Sequence, residues 1–195
     1  MNAYIADEFA KALASMQALA GDVALHADLQ RAVALCVQAL RDGRKLLFAG
    51  NGGSAADAQH WAGELVSRFY YDRPGLPAIA LPTDTSILPA TGNASGSDYT
   101  FARQIEALGQ AGDVFIAIST SGNSPNILRA AQAARARGMH VLGFTGRGGG
   151  KLAPLADICF RMPSDETPRI QEGHEFLGHL LCALIEAAMH PRAAG

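Results

Sequence analysis

A histidine and a glutamate stand four residues apart, behind a glycine-rich turn, in the stretch LFAGNGGSAADAQHWAGEL. If this stretch is helical, His60 and Glu64 share one helix face, because residues four apart are neighbours on a helix surface. Such a pair can bind a metal ion or act as a separate acid and base. Alternatively, the two side chains form a hydrogen-bonded pair on the surface that has no role in catalysis or metal binding. Asp57, one turn earlier, could orient the histidine.

More polar side chains stand in an apolar stretch near the C-terminus, RIQEGHEFLGHLL. Gln171 and His179 are eight residues apart, or about 12 Å along a helix. Both residues could bind one ion only if the ion lay between them and each side chain extended toward it along the helix. His179 lies among leucines, where a histidine is more often a hydrogen-bonded core residue than a ligand. We expect Glu172 and Glu175 to face solvent.

Two turns rich in glycine or hydroxyl side chains follow predicted strands, at Asn51-Gly-Gly-Ser54 and Ser119-Thr-Ser-Gly-Asn-Ser124. Each precedes a predicted helix, whose first N–H groups and positive dipole potential favour an anion. Neither is a P-loop or a G-x-G-x-x-G motif, and neither contains lysine or arginine. Together they predict a site for a phosphorylated small molecule with many hydroxyls. A tight turn with Ser54 as helix cap is the plainer alternative for the first.

Helices and short apolar strands alternate along the chain and would position these groups. Helical spacing of apolar residues predicts two leading helices, at 3–20 and 24–42. Strands are predicted at 45–49, 77–81, 113–118, 140–144 and 157–161, with helices at 54–69, from 84 onward, at 124–137 and at 168–189. This alternation predicts an α/β fold with a parallel sheet covered on both faces. The leading helices could pack across a subunit interface, and the polar residues 91–99 are expected to form a mobile loop.

Composition limits the class of protein. The 195 residues are 49% hydrophobic and 17% charged, which suits one globular domain. The net charge of −2 is spread along the chain, so neither a nucleic-acid partner nor a membrane is expected. The three cysteines are widely separated and are expected to be buried free thiols. Without a recognisable targeting or membrane-spanning segment, we expect a soluble cytoplasmic protein. Arg68 and Arg73 are expected to be surface charges.

GNGGSAADAQH, STSGNSPN and RIQEGH…H together resemble the sugar isomerase (SIS) domain and, within it, the phosphoheptose isomerases. The resemblance covers nearly the whole chain and implies a single SIS domain at 1–195. Residues 1–43 would be helices used in oligomer packing, and residues 44–195 would be the α/β core. The implied architecture is a flavodoxin-like three-layer α/β/α sandwich with a five-stranded parallel sheet. The implied assembly is a homotetramer with active sites between subunits.

The resemblance also implies a reaction, the interconversion of sedoheptulose 7-phosphate and D-glycero-D-manno-heptose 7-phosphate. This reaction is the first step toward the heptose of lipopolysaccharide core or capsule. One zinc ion per subunit is implied, with the ligands His60, Glu64, Gln171 and His179. The residues implied to bind the sugar phosphate are Asn51, Gly52, Gly53, Ser54, Glu64, Asn93, Ser119, Thr120, Ser121, Ser124 and Gln171.

Aldose–ketose isomerisation needs one proton carrier at carbon and another at oxygen. We assign these roles to Glu64 and His179. If both residues bind zinc throughout, their freedom to carry protons is reduced, and the sequence leaves the two descriptions open. No redox cofactor is needed.

One loop departs from the family pattern. The family has Asn-Asp where this chain has Asn93-Ala94, so a substrate contact is missing here unless Asp98 replaces it. Two alternatives stay open. One is a non-enzymatic SIS protein that binds the bacterial replication initiator, against which Glu64 and His179 argue. The other is a protein that senses or isomerises a different phosphosugar.

Overall fold

Seven α-helices and five β-strands make up residues 2–192, the part of the chain that the computed structural model describes. The helices are α1 (Asn2–Gly21), α2 (Val23–Arg41), α3 (Gly53–Val66), α4 (Ile87–Ser95), α5 (Ala102–Leu108), α6 (Pro125–Ala136) and α7 (Thr167–Met189). The strands are β1 (Leu46–Ala49), β2 (Ala78–Ala80), β3 (Val114–Ile118), β4 (His140–Thr145) and β5 (Ile158–Arg161). Short 3₁₀ helices lie at Leu81–Thr83, Ser97–Tyr99 and Ala153–Leu155.

The five strands form one parallel sheet in the order β2-β1-β3-β4-β5. In the centre of the sheet, Phe48 of β1 is in register with Ala80 on one side and Ile116 on the other. This order is that of flavodoxin-like folds, in which the winding direction reverses between β1 and β3. The predicted α/β class and five-stranded parallel sheet are confirmed.

Alternating side chains of the central strands enter two apolar cores, one on each face of the sheet. Phe48 and Ile116 pack with residues of α2, α3 and α7 on one face. Leu47 and Phe115 pack with residues of α5 and α6 on the other. Every residue of β1 and β3 is buried, because helices cover both faces of a parallel sheet. The result is a three-layer α/β/α sandwich.

The cysteines are free thiols, as predicted, but only two of the three are buried. All three are free, with Cys36 and Cys182 buried and Cys159 half-buried. Burial raises the pKa of the Cys36 thiol to about 12, so this thiol stays protonated. No helix within residues 2–192 is long and apolar enough to cross a membrane.

The expected mobile loop at 91–99 is wrong. Its first half is the end of α4, and its second half is the 3₁₀ turn at Ser97–Tyr99. Just before α4, whose N-cap residue is Ser86, the Asp84 carboxylate accepts the N–H groups of Ser86 and Ile87 at 2.8 and 2.7 Å. The same hydrogen bonds lower the pKa of Asp84. The helix predicted from residue 84 onward therefore continues into the first half of this segment.

Arg73 was expected at the surface, and this is also wrong. Its side chain is 2% exposed, and its Nε lies 3.0 Å from Oε1 of the buried Glu186 on α7. The guanidinium also donates to the carbonyls of Glu64 at 2.9 Å and Leu65 at 2.6 Å. Glu186 accepts two backbone N–H groups from the turn after α3. This buried pair fastens the C-terminal end of α3 to α7.

Helix α3 packs on α7 through Trp61, which is fully buried over Gly178. A Cβ added at Gly178 would overlap the indole ring, so the approach requires glycine there. The Sγ of Cys182, one turn further along α7, lies 3.8 Å from the carbonyl of Trp61. The contact places the face of α3 that carries His60 against α7.

We expect Gly178→Ala to lower the free energy of unfolding by about 1–3 kcal/mol, the usual cost of overpacking a core. Gly63→Ala on α3 is the control, because a Cβ there has nothing within 4 Å. The control should be neutral or stabilising by up to about 1 kcal/mol, since alanine favours helix. Urea unfolding measures both. A Gly178→Ala protein as stable as the wild type would refute this account of the contact.

Candidate functional site

The two glycine- and hydroxyl-rich turns open onto one cavity of about 310 Å³. They follow β1 and β3, which are neighbours where the winding of the sheet reverses. Ligands bind at this position in open α/β sheets. The lining residues are Asn51, Gly52, Gly53, Ser54, Ile118, Ser119, Thr120, Ser124, Thr167 and Gln171.

The first turn depends on glycine. Gly52 has a φ of +55°, in the left-handed region that side chains disfavour. Gly53 lies so close to the side-chain amide of Gln171 that a Cβ there would overlap it. Gly52 is also the N-cap of α3, so the prediction that Ser54 caps this helix is wrong. Ser54 lies inside the first helical turn and is buried.

The second turn contributes hydroxyls to the cavity. The Oγ atoms of Ser119 and Ser124 are 2.9 Å apart, and Ser119 is buried. Ser121 is exposed, and its Oγ accepts a backbone N–H of its own turn at 3.1 Å instead of lining the cavity. Asn51 and Asn126 exchange hydrogen bonds of 2.9 and 2.8 Å, which join the first turn to the start of α6. An anion here would meet hydroxyls and helix N-termini.

A second group of side chains lies where α3 faces α7. His60, Glu64 and His179 each offer one ligand atom, and these atoms lie within 4.8 Å of one another. The two histidine Nε2 atoms are 2.8 Å apart, and His60 Nε2 is 3.5 Å from Glu64 Oε1. Imidazole nitrogens and a carboxylate oxygen are the donors that divalent transition metals take in proteins. The group is reachable from solvent, because the His60 side chain is 45% exposed.

Sequence reasoning missed Glu175, which it placed in solvent. Glu175 Oε1 lies 3.2 Å from His60 Nε2 and 3.0 Å from His179 Nε2. Its Oε2 accepts the indole N–H of Trp61 at 3.0 Å. The signal was available, because Glu175 and His179 have the same four-residue spacing on α7 that His60 and Glu64 have on α3.

Two further titratable groups have shifted pKa values, Asp57 beside this group of side chains and His174 in the core. Burial first, and then the charge of Glu175, raise the pKa of Asp57 to about 6, although His60 acts in the opposite direction. Asp57 Oδ2 has no hydrogen-bond partner among residues 2–192, so its role in orienting His60 stays a prediction. His174 is fully buried, which lowers its pKa to about 4, and its Nε2 lies 3.1 Å from the carbonyl of Thr145. His174 is therefore a neutral core residue.

Two predicted site residues lie elsewhere. Gln171 lines the cavity, two helical turns before His179 on α7. Asn93 is exposed on α4 and does not line the cavity. Asp98, the candidate substitute for the missing loop aspartate, has its Oδ2 3.8 Å from Arg129 Nε and is half exposed.

Comparisons with known proteins identify the family of this chain. The SIS domain model matches residues 9–146. A phosphoheptose isomerase of Burkholderia pseudomallei is 54% identical over 183 residues, covering 94% of this chain and 93% of the relative. Another, of Aneurinibacillus thermoaerophilus, is 50% identical and covers 97% of this chain and 96% of the relative.

A solved phosphoheptose isomerase structure from Neisseria gonorrhoeae has the same architecture. It matches with a TM-score of 0.89 and 43% identity, covering 95% of this chain and 98% of that one. Similarity at this level extends over the leading helices, the sheet and α7. The chain belongs to the phosphoheptose isomerase family, whose members are isomerases built on the SIS domain.

Proposed function

We propose that this chain interconverts sedoheptulose 7-phosphate and D-glycero-D-manno-heptose 7-phosphate. The observation that carries the proposal is that α3 and α7 each run from the hydroxyl-lined cavity to the His60, Glu64 and His179 group. The family membership supports the same reaction. In the cell the product would supply the heptose of lipopolysaccharide core or capsule.

The separation of the two sites suits a long substrate. Gly53 lines the cavity, and His60 follows seven residues later, about 10 Å along the helix. A 7-phosphate sugar with its carbonyl near C1 places its phosphate and its reacting carbons at opposite ends. We propose that the phosphate lies in the cavity. The residues proposed to bind the sugar phosphate are Asn51, Gly52, Gly53, Ser54, Ser119, Thr120, Ser124 and Gln171 in the cavity, with Glu64 at the reacting end. Asn93 and Ser121, predicted with them, do not line the cavity.

Isomerisation transfers a proton between C1 and C2 through an enediol. In our proposal Glu64 removes the proton from one carbon and returns it to the other. His179 moves a proton between the two adjacent oxygens, so the atoms balance without an oxidant or reductant. Glu64 suits this role because its side chain is 22% exposed and a substrate can reach it.

We further propose one zinc ion per chain, with His60, Glu64, Gln171 and His179 as its ligands. The donor atoms of three of these residues converge, which supports the metal. Gln171 shares α7 with His179 but contacts the cavity, so the resemblance alone supports its place among the ligands. Bound zinc would polarise the substrate carbonyl as a Lewis acid.

We propose that the protein is a cytoplasmic homotetramer. Helix α1 leaves Ile5, Phe9 and Leu13 exposed on one helix face. An exposed apolar stripe of this kind is typical of a protein–protein interface. In this proposal residues 1–43 pack between subunits and residues 44–195 form the core of a single domain. Light scattering should give the mass of four chains, and a monomer at assay concentration would contradict the assembly.

Turnover of sedoheptulose 7-phosphate by the wild type, compared with Glu64→Gln, tests the reaction. The variant should lose about 10²–10⁴-fold in kcat, because it removes the base while keeping the side-chain volume. Glu106→Gln, on the surface of α5, is the charge-matched control and should keep full activity. Absence of turnover in zinc-loaded wild-type protein would overturn the function. A Glu64→Gln variant above one tenth of wild-type kcat would overturn the base assignment.

Ser119→Ala should raise the KM for the sugar phosphate about tenfold or more, because a buried hydroxyl loses its bond to a charged ligand. Ser121→Ala should raise it less than about threefold, since that hydroxyl bonds within its own turn. Steady-state kinetics on both variants measures the difference. Equal effects would show that the cavity does not hold the phosphate as described.

Removal of metal by a chelator should abolish activity, and added zinc should restore it. The reason is that His60 and His179 offer adjacent nitrogen donors, which bind zinc far better than magnesium. Magnesium added to the same sample is the control and should restore nothing. Full activity of protein shown by elemental analysis to be metal-free would remove zinc from the mechanism.

A further inference from the structure

Three atoms form a close triangle between α3 and α7. His60 Nε2 and His179 Nε2 are 2.8 Å apart, and Glu175 Oε1 lies 3.2 Å from the first and 3.0 Å from the second. Glu64 Oε1 is more distant, at 3.5 Å from His60 Nε2. The carboxylate oxygen closest to both imidazoles therefore belongs to Glu175.

The Glu175 carboxylate is held in this orientation by the core. Its Oε2 accepts the N–H of Trp61 at 3.0 Å, so Oε1 is left for the two histidines. Trp61 cannot shift easily, because its ring is fully buried against Gly178 and lies 5.1 Å, centroid to centroid, from the ring of Phe144. Metal ligands in proteins are commonly oriented in this way, by a hydrogen bond to the ligand atom that does not bind the metal.

The local charge also favours a cation. The carboxylates of Glu64 and Glu175 both lie within 3.5 Å of His60 Nε2, and Asp57 lies nearby. Glu175 lies close enough to Asp57 to act on it electrostatically. A divalent ion bound to neutral imidazoles would offset two of the carboxylate charges and take the place of the hydrogen bond between the two Nε2 atoms.

We propose that Glu175 is a metal ligand of this chain, with its Oε1 completing a set formed by the Nε2 atoms of His60 and His179. This inference rests on the proposed function only in requiring a zinc ion at this position. It has one chemical consequence. With Glu175 supplying a carboxylate to the ion, Glu64 would leave the ligand set proposed above and be free to carry the substrate proton.

The test is metal affinity, measured without turnover. Zn²⁺ dissociation constants are obtained by competition with a chromophoric chelator for the wild type, Glu175→Gln and Glu172→Gln. Glu175→Gln should bind about tenfold or more weakly. Glu172→Gln removes the same charge from α7 at a residue whose Oε1 pairs with Arg169 at 2.6 Å, and it should bind like the wild type. The visible spectrum of bound Co²⁺ should change only in Glu175→Gln.

Glu175→Asp separates ligation from simple charge attraction. It keeps the charge but is one methylene shorter, so it should bind Zn²⁺ as weakly as Glu175→Gln. Circular dichroism and thermal unfolding of the metal-free proteins check that each variant is folded. Wild-type affinity and an unchanged Co²⁺ spectrum in Glu175→Gln would overturn this inference while leaving the zinc proposal intact. A wild type that binds no Zn²⁺ would overturn both.

Discussion

The seating of the Trp61 indole on the bare backbone of Gly178 sets how closely α3 approaches α7, and the chemistry depends on that distance. Each helix carries a histidine and a glutamate four residues apart, and neither pair alone has enough ligands for a metal. The contact brings the pairs face to face. At the far end of α3, the buried pair of Arg73 and Glu186 fastens the same two helices. The Trp61–Gly178 contact and the Arg73–Glu186 pair therefore hold α3 and α7 together at two points.

The sheet supplies a different constraint. Parallel strands β1 and β3 end side by side, so the turns after them must share one cavity. Helix α3 begins in that cavity, and α7 passes it at Gln171 before reaching His179. The proposed anion site and the proposed proton-transfer site are thus two positions along the same pair of helices. This arrangement suits a substrate whose phosphate and reacting carbons lie at opposite ends.

Local patterns in the sequence predicted much of this. Sequence patterns predicted the His60 and Glu64 pair and the two turns, because these features depend on residues close together in the chain. The same holds for the strands and helices. The position of Glu175 was not predicted, because its side chain is oriented by a hydrogen bond from Trp61, 114 residues away. For the same reason Arg73 was assigned to the surface. The helix predicted from residue 84 onward extends to Ser95, so the polar, glycine-containing composition of residues 91–95 wrongly indicated a loop.

The most direct test of the account is to locate the ion by anomalous diffraction above and below the zinc absorption edge, from crystals of the zinc-loaded protein. We predict one peak per chain between His60 and His179. Their Nε2 atoms should move from 2.8 Å apart to about 3.3 Å, the separation of two tetrahedral ligands at normal zinc–nitrogen distances. An absent peak, or a peak elsewhere with the two nitrogens still hydrogen-bonded to each other, would contradict a metal-centred site between α3 and α7.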